Sequence, residues 1–210
     1  MERIAKIEHY YQALYDIATE VNSMRTPDGV LRAMVAGVAK SLEAKACSIM
    51  LLTPDHKELL HTAAYGLSRD YVQKGVVLTA KSMAETLAGK PVAIIDATHD
   101  ERVQYREAQE KEGIASILSV PIRLRGEIIG VMRVYTAEPR QFDADDIYFV
   151  DGVSDLGAIL LENAQLYDTI HRDYETVRQE ILQCRSQHAN EWIHEEEPES
   201  AVLYRWWKHI

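Results

Sequence analysis

One charge stands out by its surroundings. Arg133 sits inside the apolar run IIGVMRVY (residues 128–135), where no other residue ionises at neutral pH. A buried guanidinium without a partner costs several kcal/mol or more, so Arg133 requires an acidic side chain, a route to solvent, or an anionic ligand. Its planar fork suits bidentate recognition of a carboxylate or phosphate. An internal salt bridge to Asp96, Glu107 or Glu112, or a side chain snorkelling to the sheet edge, are the competing readings. Other chemistry is sparse. The eight histidines include no pair at His-x-x-x-His spacing, and no G-x-S-x-G or G-x-x-x-x-G-K-[ST] segment occurs. His61 falls in a strand pattern and His99 in a polar loop, which reads as a satisfied or solvated imidazole in each case. Carboxylates concentrate in charge-mixed stretches such as EAQEKEG, a solvated helix face. Of the two cysteines, Cys47 lies in an apolar strand pattern, where a thiol is buried and inert, and Cys184 lies in a helix pattern. No catalytic residue and no metal site is assigned.

The elements that must position Arg133 are legible around it. Residues 116–137, SILSVPIRLRGEIIGVMRVYTA, read as two strands, 116–123 and 127–136, joined by a tight Arg125-Gly126 turn. Leu118, Val120 and Ile122 share one face, with Ile117 on the other. Ile129, Val131 and Tyr135 oppose Ile128, Met132 and Val134 in the next strand. A half-wet hairpin alternates apolar and polar residues, whereas this one is apolar on both faces and must be covered twice. ACSIMLLT and ELLHTAAYG make an earlier strand pair around residues 54–57. Thr26-Pro27 supplies an N-cap and first-turn proline for a helix carrying Val30, Leu31, Met34 and Val38. Residues 67–115 are a series of short pieces, and Asp143 caps a long final helix.

That last helix carries a second signal. Val153, Leu156, Leu160, Asn163, Tyr167, Ile170, Tyr174, Val177, Ile181 and Cys184 alternate by three and four, the heptad spacing of a seam between helices. Residues 144–188 would span roughly 65–70 Å at about 1.5 Å per residue. The part beyond Leu160 outruns the domain and calls for a partner helix. Residues 2–23 form another amphipathic helix, with Ile4, Ile7, Tyr11, Leu14, Ala18 and Val21. The dimer interface expected from these stripes comprises Ile4, Ile7, Tyr11, Leu14, Asn163, Tyr167, Ile170, Tyr174, Val177 and Ile181. Parallel and antiparallel pairings both remain open, although Asn163 in the seam can set a parallel register.

Taken in order, ACSIMLL with HTAAYGL, SMAETLAGKPVAIID, EGIASILSVPI and LLENAQLY resemble the GAF domain, a small-molecule-sensing module, over residues 26–165. The resemblance implies an α/β (α+β) fold with a central antiparallel sheet flanked by helices. It also implies a pocket between the sheet and residues 67–115, and a closing helix that often continues as a signalling coiled coil. The domain plan is then an N-terminal helix (1–25), a GAF-like domain (26–165), a coiled-coil extension (166–190) and a tail (191–210). By similarity to nucleotide-binding members, Ser48, Tyr65, Met83, Ala84, Tyr105, Gln109, Ile114 and Arg133 occupy the ligand-contacting positions. Nucleotide-binding members can carry an acid where Arg133 stands, so the reversed charge implies a different, anionic or carbonyl-bearing ligand.

Several family cofactors do not fit. Gln104 and Tyr105 stand where bilin-binding members carry Cys-His, which argues against a covalent bilin. No Asn-Lys pair accompanies Phe142 and Asp146, which argues against a cyclic nucleotide. Cys47 alone provides no dithiol for methionine sulfoxide reduction. A net charge of −10 argues against a nucleic-acid surface. No uncharged apolar run reaches the ~18–20 residues of a membrane span, and MERIAKIEHYYQ lacks the apolar core of a signal peptide. The cytoplasm is the simplest compartment. No kinase, cyclase, phosphodiesterase or DNA-binding output region is recognisable, so the expected function is a sensor, not an enzyme, that signals as a homodimer to a separate partner protein. A ligand-free dimerisation module is the alternative, and an enzyme using the pocket for chemistry is a third reading. The tail, with Trp192, Trp206 and Trp207, is expected to dock on protein.

Overall fold

A computed structural model describes residues 2–24, 26–75, 77–79 and 83–191. Side-chain surroundings are described for most of these, but not for Glu2, Asp168, Ile181 or residues 184–191. The tryptophan-bearing tail lies outside the described residues.

Helix α1 spans Glu2–Ser23 and α2 Pro27–Ser41, followed by strands β1 (Ala46–Leu52) and β2 (Glu58–Tyr65). Short elements come next: α3 (Arg69–Val72), β3 (Val77–Leu78), α4 (Ala84–Leu87), β4 (Val92–Ile94) and α5 (Arg106–Glu112). Strands β5 (Ser116–Leu124) and β6 (Glu127–Thr136) and helix α6 (Ala144–Glu191) complete the order. The strands form one sheet in the order β3-β2-β1-β6-β5-β4, antiparallel at every pairing.

Local chemistry explains these boundaries. Thr26 accepts from the Gly29 N–H at 3.2 Å, and Pro27 opens α2, so a missing proline N–H costs nothing there. Arg125 and Gly126 both have positive φ, 53° and 87°, the primed turn whose twist matches its flanking strands. At the start of α6, Asp143 accepts from the Asp146 N–H at 2.9 Å while Asp146 accepts from the Asp143 N–H at 3.2 Å. These reciprocal bonds satisfy backbone donors that a helix start leaves unpaired.

Both sheet faces are covered, as the two-sided apolar strands require. On one face Cys47, Ile49, Leu118, Val120, Ile122, Met132 and Val134 pack with α1, α2 and the first turns of α6. On the other, Ala46, Met50, Ile117, Val131 and Tyr135 meet side chains from the segment between β2 and β5. One strand detail differs from strict alternation. The register shifts between Ile122 and Arg123, which leaves Ile129 between the paired Ile128 and Gly130. This bulge turns Ile129 to the helix-covered face, away from Val131 and Tyr135.

Helix α1 also differs from its sequence pattern. It packs through Tyr10, Ala13, Ile17 and Val21, with Leu14 partly buried. Tyr10 stacks on Phe149 at 4.5 Å between centroids, and Gly37 makes room for Ile17, where a Cβ would come within 2.4 Å. Its N-terminal half is held by Asp146, a carboxylate only 1% exposed. Asp146 accepts from Tyr10 at 2.6 Å, Lys6 at 2.7 Å and Arg140 at 3.2 Å. Burial opposes its ionisation, but those bonds and the Arg140 charge hold the carboxyl below its usual range. Ile4, Ile7 and Tyr11 are left exposed. Residues up to Asp168 form one compact unit, and those from Thr169 onward form another. Asn163 and Tyr167 in the first, and Ile170, Tyr174 and Val177 in the second, are exposed.

Candidate functional site

The site is built on the sheet face away from α6, where β1, β2, β5 and β6 present polar side chains among apolar ones. Ser48 stands opposite Arg133 in the β1–β6 ladder, and Ser119 stands opposite it in the β5–β6 ladder. Antiparallel partners project to the same side, so Arg133 lies between two serines. Its Nε donates to Ser119 Oγ at 3.0 Å, and its Nη2 lies 3.2 Å from Met83 Sδ. Ser48 Oγ and Tyr135 Oη share a hydrogen bond at 3.0 Å. Arg133 is 6% exposed and so does not snorkel. Among the described residues it has no ion-pair partner. Asp96 instead binds Thr98 and His99, and Glu112 binds the backbone N–H and hydroxyl of Ser68. The salt bridge to Asp96, Glu107 or Glu112 is therefore absent among the described residues.

More positive charge surrounds that guanidinium. The Lys74 Nζ, just beyond α3, donates to the Tyr71 carbonyl at 3.0 Å and lies 3.3 Å from His61 Nε2. It also stands 3.5 Å from the centroid of the Tyr71 ring and 5.9 Å from that of Tyr105, a favourable placement for an ammonium. Burial and then the Arg133 charge push the Lys74 amine down to about 7, with Glu112 opposing. His61 is driven to about 3 by burial and by the charges of Lys74 and Arg133. It is consequently neutral at physiological pH, and its Nδ1 is buried without a hydrogen-bond partner. That corrects the reading of a satisfied or solvated His61, whereas His99 is exposed beside Asp96 as expected. Burial raises the Tyr71 and Tyr135 phenols. Cys47 is buried on the opposite face, with its thiol pushed well up by burial, as an inert thiol should be.

A cleft of about 1080 Å³ opens between α3 and α5, lined by Tyr71, Lys74, Arg102, Tyr105, Arg106 and Glu112 among others. Lys74, Tyr71 and Tyr105 thus border the cleft, and Arg133 acts on Lys74, Tyr71 and His61 from within the domain. Buried polar atoms without partners cluster on this side. Thr86 Oγ1 and Gln109 Oε1 are of this kind among the described residues, and each such atom costs about 1–3 kcal/mol unless something binds it. Among the described residues, no group of three or more His, Cys, Asp or Glu side chains is arranged to hold a metal ion.

The sequence-derived positions divide cleanly. Ser48, Met83 and Arg133 meet on the sheet, Tyr105 approaches Lys74 from the cleft, and Gln109 of α5 and Ile114 just after that helix are buried. Tyr65 and Ala84 lie elsewhere. Tyr65 pairs with Cys47, which faces the helices, and is 41% exposed. Its displacement has a cause: Ile49 pairs with Ala63 but Met50 with His61, so Thr62 is bulged out. The bulge puts Leu59 and His61 on the face opposite Ala63 and Tyr65. Ala84 is exposed in a separate groove with Leu52, His56 and Ile128. Sequence reasoning missed Ser119, Tyr135, His61, Tyr71 and Lys74. The spacing of Tyr71 and Lys74, one helical turn apart, is the only local hint of their meeting.

Comparison with known proteins agrees with this architecture. Residues 24–162 match the family model for the GAF domain, and the chain belongs to that family, whose members are generally small-molecule sensors in signalling proteins. Among solved structures, the GAF domain of a phosphoenolpyruvate-protein phosphotransferase from Coxiella burnetii is 21% identical with a TM-score of 0.69. That alignment covers 78% of this chain and 98% of the other. The corresponding domain from Acinetobacter is 24% identical, with a TM-score of 0.63 and coverage of 74% and 94%. Free methionine-R-sulfoxide reductase from Neisseria meningitidis, in complex with its substrate, is 16% identical with a TM-score of 0.63 and coverage of 75% and 90%. No curated protein gives a significant match. At these identities the solved structures establish the fold alone.

Proposed function

We propose that this GAF domain is a cytoplasmic sensor of a small organic anion, and that it passes ligand state through its helical extension, as a homodimer, to a separate output protein. The observation that carries the reading is the buried Arg133 without a carboxylate partner among the described residues, together with a depressed Lys74 beside it. Such a cluster is electrostatically incomplete, and an anion would offset both cations. Strand β6 supplies a route outward. Arg133 lies between Met132 and Val134, which face the opposite side and share one buried cluster with Val150 and Val153 of α6. Ser154 of α6 approaches Met132 Sδ at 3.6 Å. The exposed apolar positions Ile170, Tyr174 and Val177 support dimerisation, because such a stripe is seldom left to solvent.

One observation favours a ligand-free dimerisation module. Tyr71, Met83 and Tyr135, each at most 2% exposed, already fill much of the sheet face. Thermal shift with a panel of organic acids and nucleotides, on the wild type and Arg133→Met, separates the two readings. The sensor reading requires an anion that stabilises the wild type and not the variant. If no anion stabilises either protein, or one stabilises both equally, the reading fails.

A further inference from the structure

Lys74 is unusual among the lysines. Among the described residues, no carboxylate lies within ion-pair distance of its Nζ, and Glu112, the nearest acid to influence it, is committed to Ser68. Among the described residues, the polar contacts of Lys74 are the Tyr71 carbonyl at 3.0 Å, an acceptor, and His61 Nε2 at 3.3 Å, whose role depends on the imidazole tautomer. A neutral amine has two hydrogens and one lone pair. With the His61 proton on Nδ1, these two acceptors take both hydrogens and leave the lone pair without a hydrogen bond. The groups facing Lys74 are His61 from β2, Tyr71 from α3, Tyr105 and Glu112 from α5, and Arg133 from β6. Only Glu112 is acidic among them and it is committed to Ser68, so no carboxylate fixes the amine as its ammonium, although the Tyr71 ring face receives that form. The side chain borders the 1080 Å³ cleft and is reachable from solvent.

We propose that Lys74 is a covalent capture site, whose amine condenses reversibly with the carbonyl of a small 2-oxo acid while Arg133 attracts the acid's carboxylate. This deepens the anion-sensor reading and rests on it. The Lys74 nitrogen adds its lone pair to the carbonyl carbon, and a proton passes from nitrogen to the former carbonyl oxygen, giving a carbinolamine. That hydroxyl then takes up a proton from water in the cleft and leaves as water. The nitrogen lone pair forms the C=N bond and the remaining N–H proton returns to solvent. Amine plus carbonyl gives imine plus water, with no change in oxidation state. A neutral nucleophilic lysine of this kind arises from desolvation beside another cation.

Reductive trapping tests the step on the full chain. Protein would be incubated with cyanoborohydride and pyruvate, glyoxylate or propanal at pH 7, and the modified lysines mapped by peptide mass spectrometry. Lys74 should be labelled by the two oxo acids about tenfold or more above exposed Lys40, Lys57 and Lys90, since an ordinary lysine is almost wholly protonated at this pH. Labelling by propanal should be weaker, and Arg133→Met should reduce labelling by the acids. Equal labelling of Lys74 by propanal would overturn the acid specificity. Labelling no greater than at the other lysines would overturn the covalent step. Lactate, which has no carbonyl, separates that failure from failure of the anion reading. Thermal stabilisation by lactate without pyruvate trapping removes only the imine, whereas no stabilisation by either acid removes both.

Discussion

Replacing Arg133 with methionine should stabilise the ligand-free protein. The guanidinium is almost fully buried, with one hydroxyl and one thioether as its polar contacts among the described residues. Exchanging buried ionic groups for apolar ones of similar size is often stabilising, by about 1–4 kcal/mol. The lost Ser119 hydrogen bond offsets about 1 kcal/mol of this. Relief of Lys74 and His61, both held down in part by Arg133, acts in the stabilising direction. The net expectation is a gain of about 1–3 kcal/mol, or several degrees in melting temperature for a chain of this size. Differential scanning calorimetry at pH 8, on protein stripped by partial unfolding and refolding, would measure it. A ligand retained by the wild type would mask the gain, so stripping matters. A loss of more than about 2 kcal/mol would refute the reasoning, because Arg133 would then be a net contributor to the folded state.

Four further outcomes follow from the same physics. Lys74 has a folded value of about 7 against 10.5 when free, so its penalty is complete below pH 7 and fades as pH rises. Stability measured by denaturant titration should therefore increase from about pH 7 to 10, by up to roughly 2 kcal/mol after discounting for solvent screening, and this rise should shrink in Lys74→Met. His61, neutral down to about 3, should make stability fall as pH drops from about 6.5 to 3, and His61→Gln should flatten that limb. Asp146→Ala should cost about 1–3 kcal/mol in chemical denaturation, since it leaves the buried Tyr10 hydroxyl without its acceptor and takes one partner each from Lys6, which keeps Asp143, and Arg140, which keeps the Leu42 carbonyl. Ile170→Asp with Val177→Asp should lower the mass by light scattering from twice 23.9 kDa towards the monomer while leaving the thermal transition of the sheet domain intact.

The parts of the fold carried by local chemistry are legible in the chain. The Arg125-Gly126 turn, the Thr26-Pro27 start, the Asp143 cap and the two-sided apolar strands each follow from a few adjacent residues. Arg133 was visible for the same reason, as a charge in an apolar strand. The rest of the site was not, because Ser119, His61 and the Tyr71–Lys74 pair come from three separate segments that only the closed sheet brings together. Bulges defeated strict alternation twice, moving Ile129 to the helix side and separating Tyr65 from His61. Helix α1 carries apolar side chains on two faces, so its spacing alone did not reveal that Tyr10, Ala13 and Ile17 pack inward.

The most direct test of the sensor account is native mass spectrometry of the full chain purified from its own cells, comparing wild type with Arg133→Met. The account predicts a dimer carrying one small acidic molecule per protomer in the wild type and an empty dimer in the variant. An empty wild-type protein, or the same bound mass in both, would contradict it.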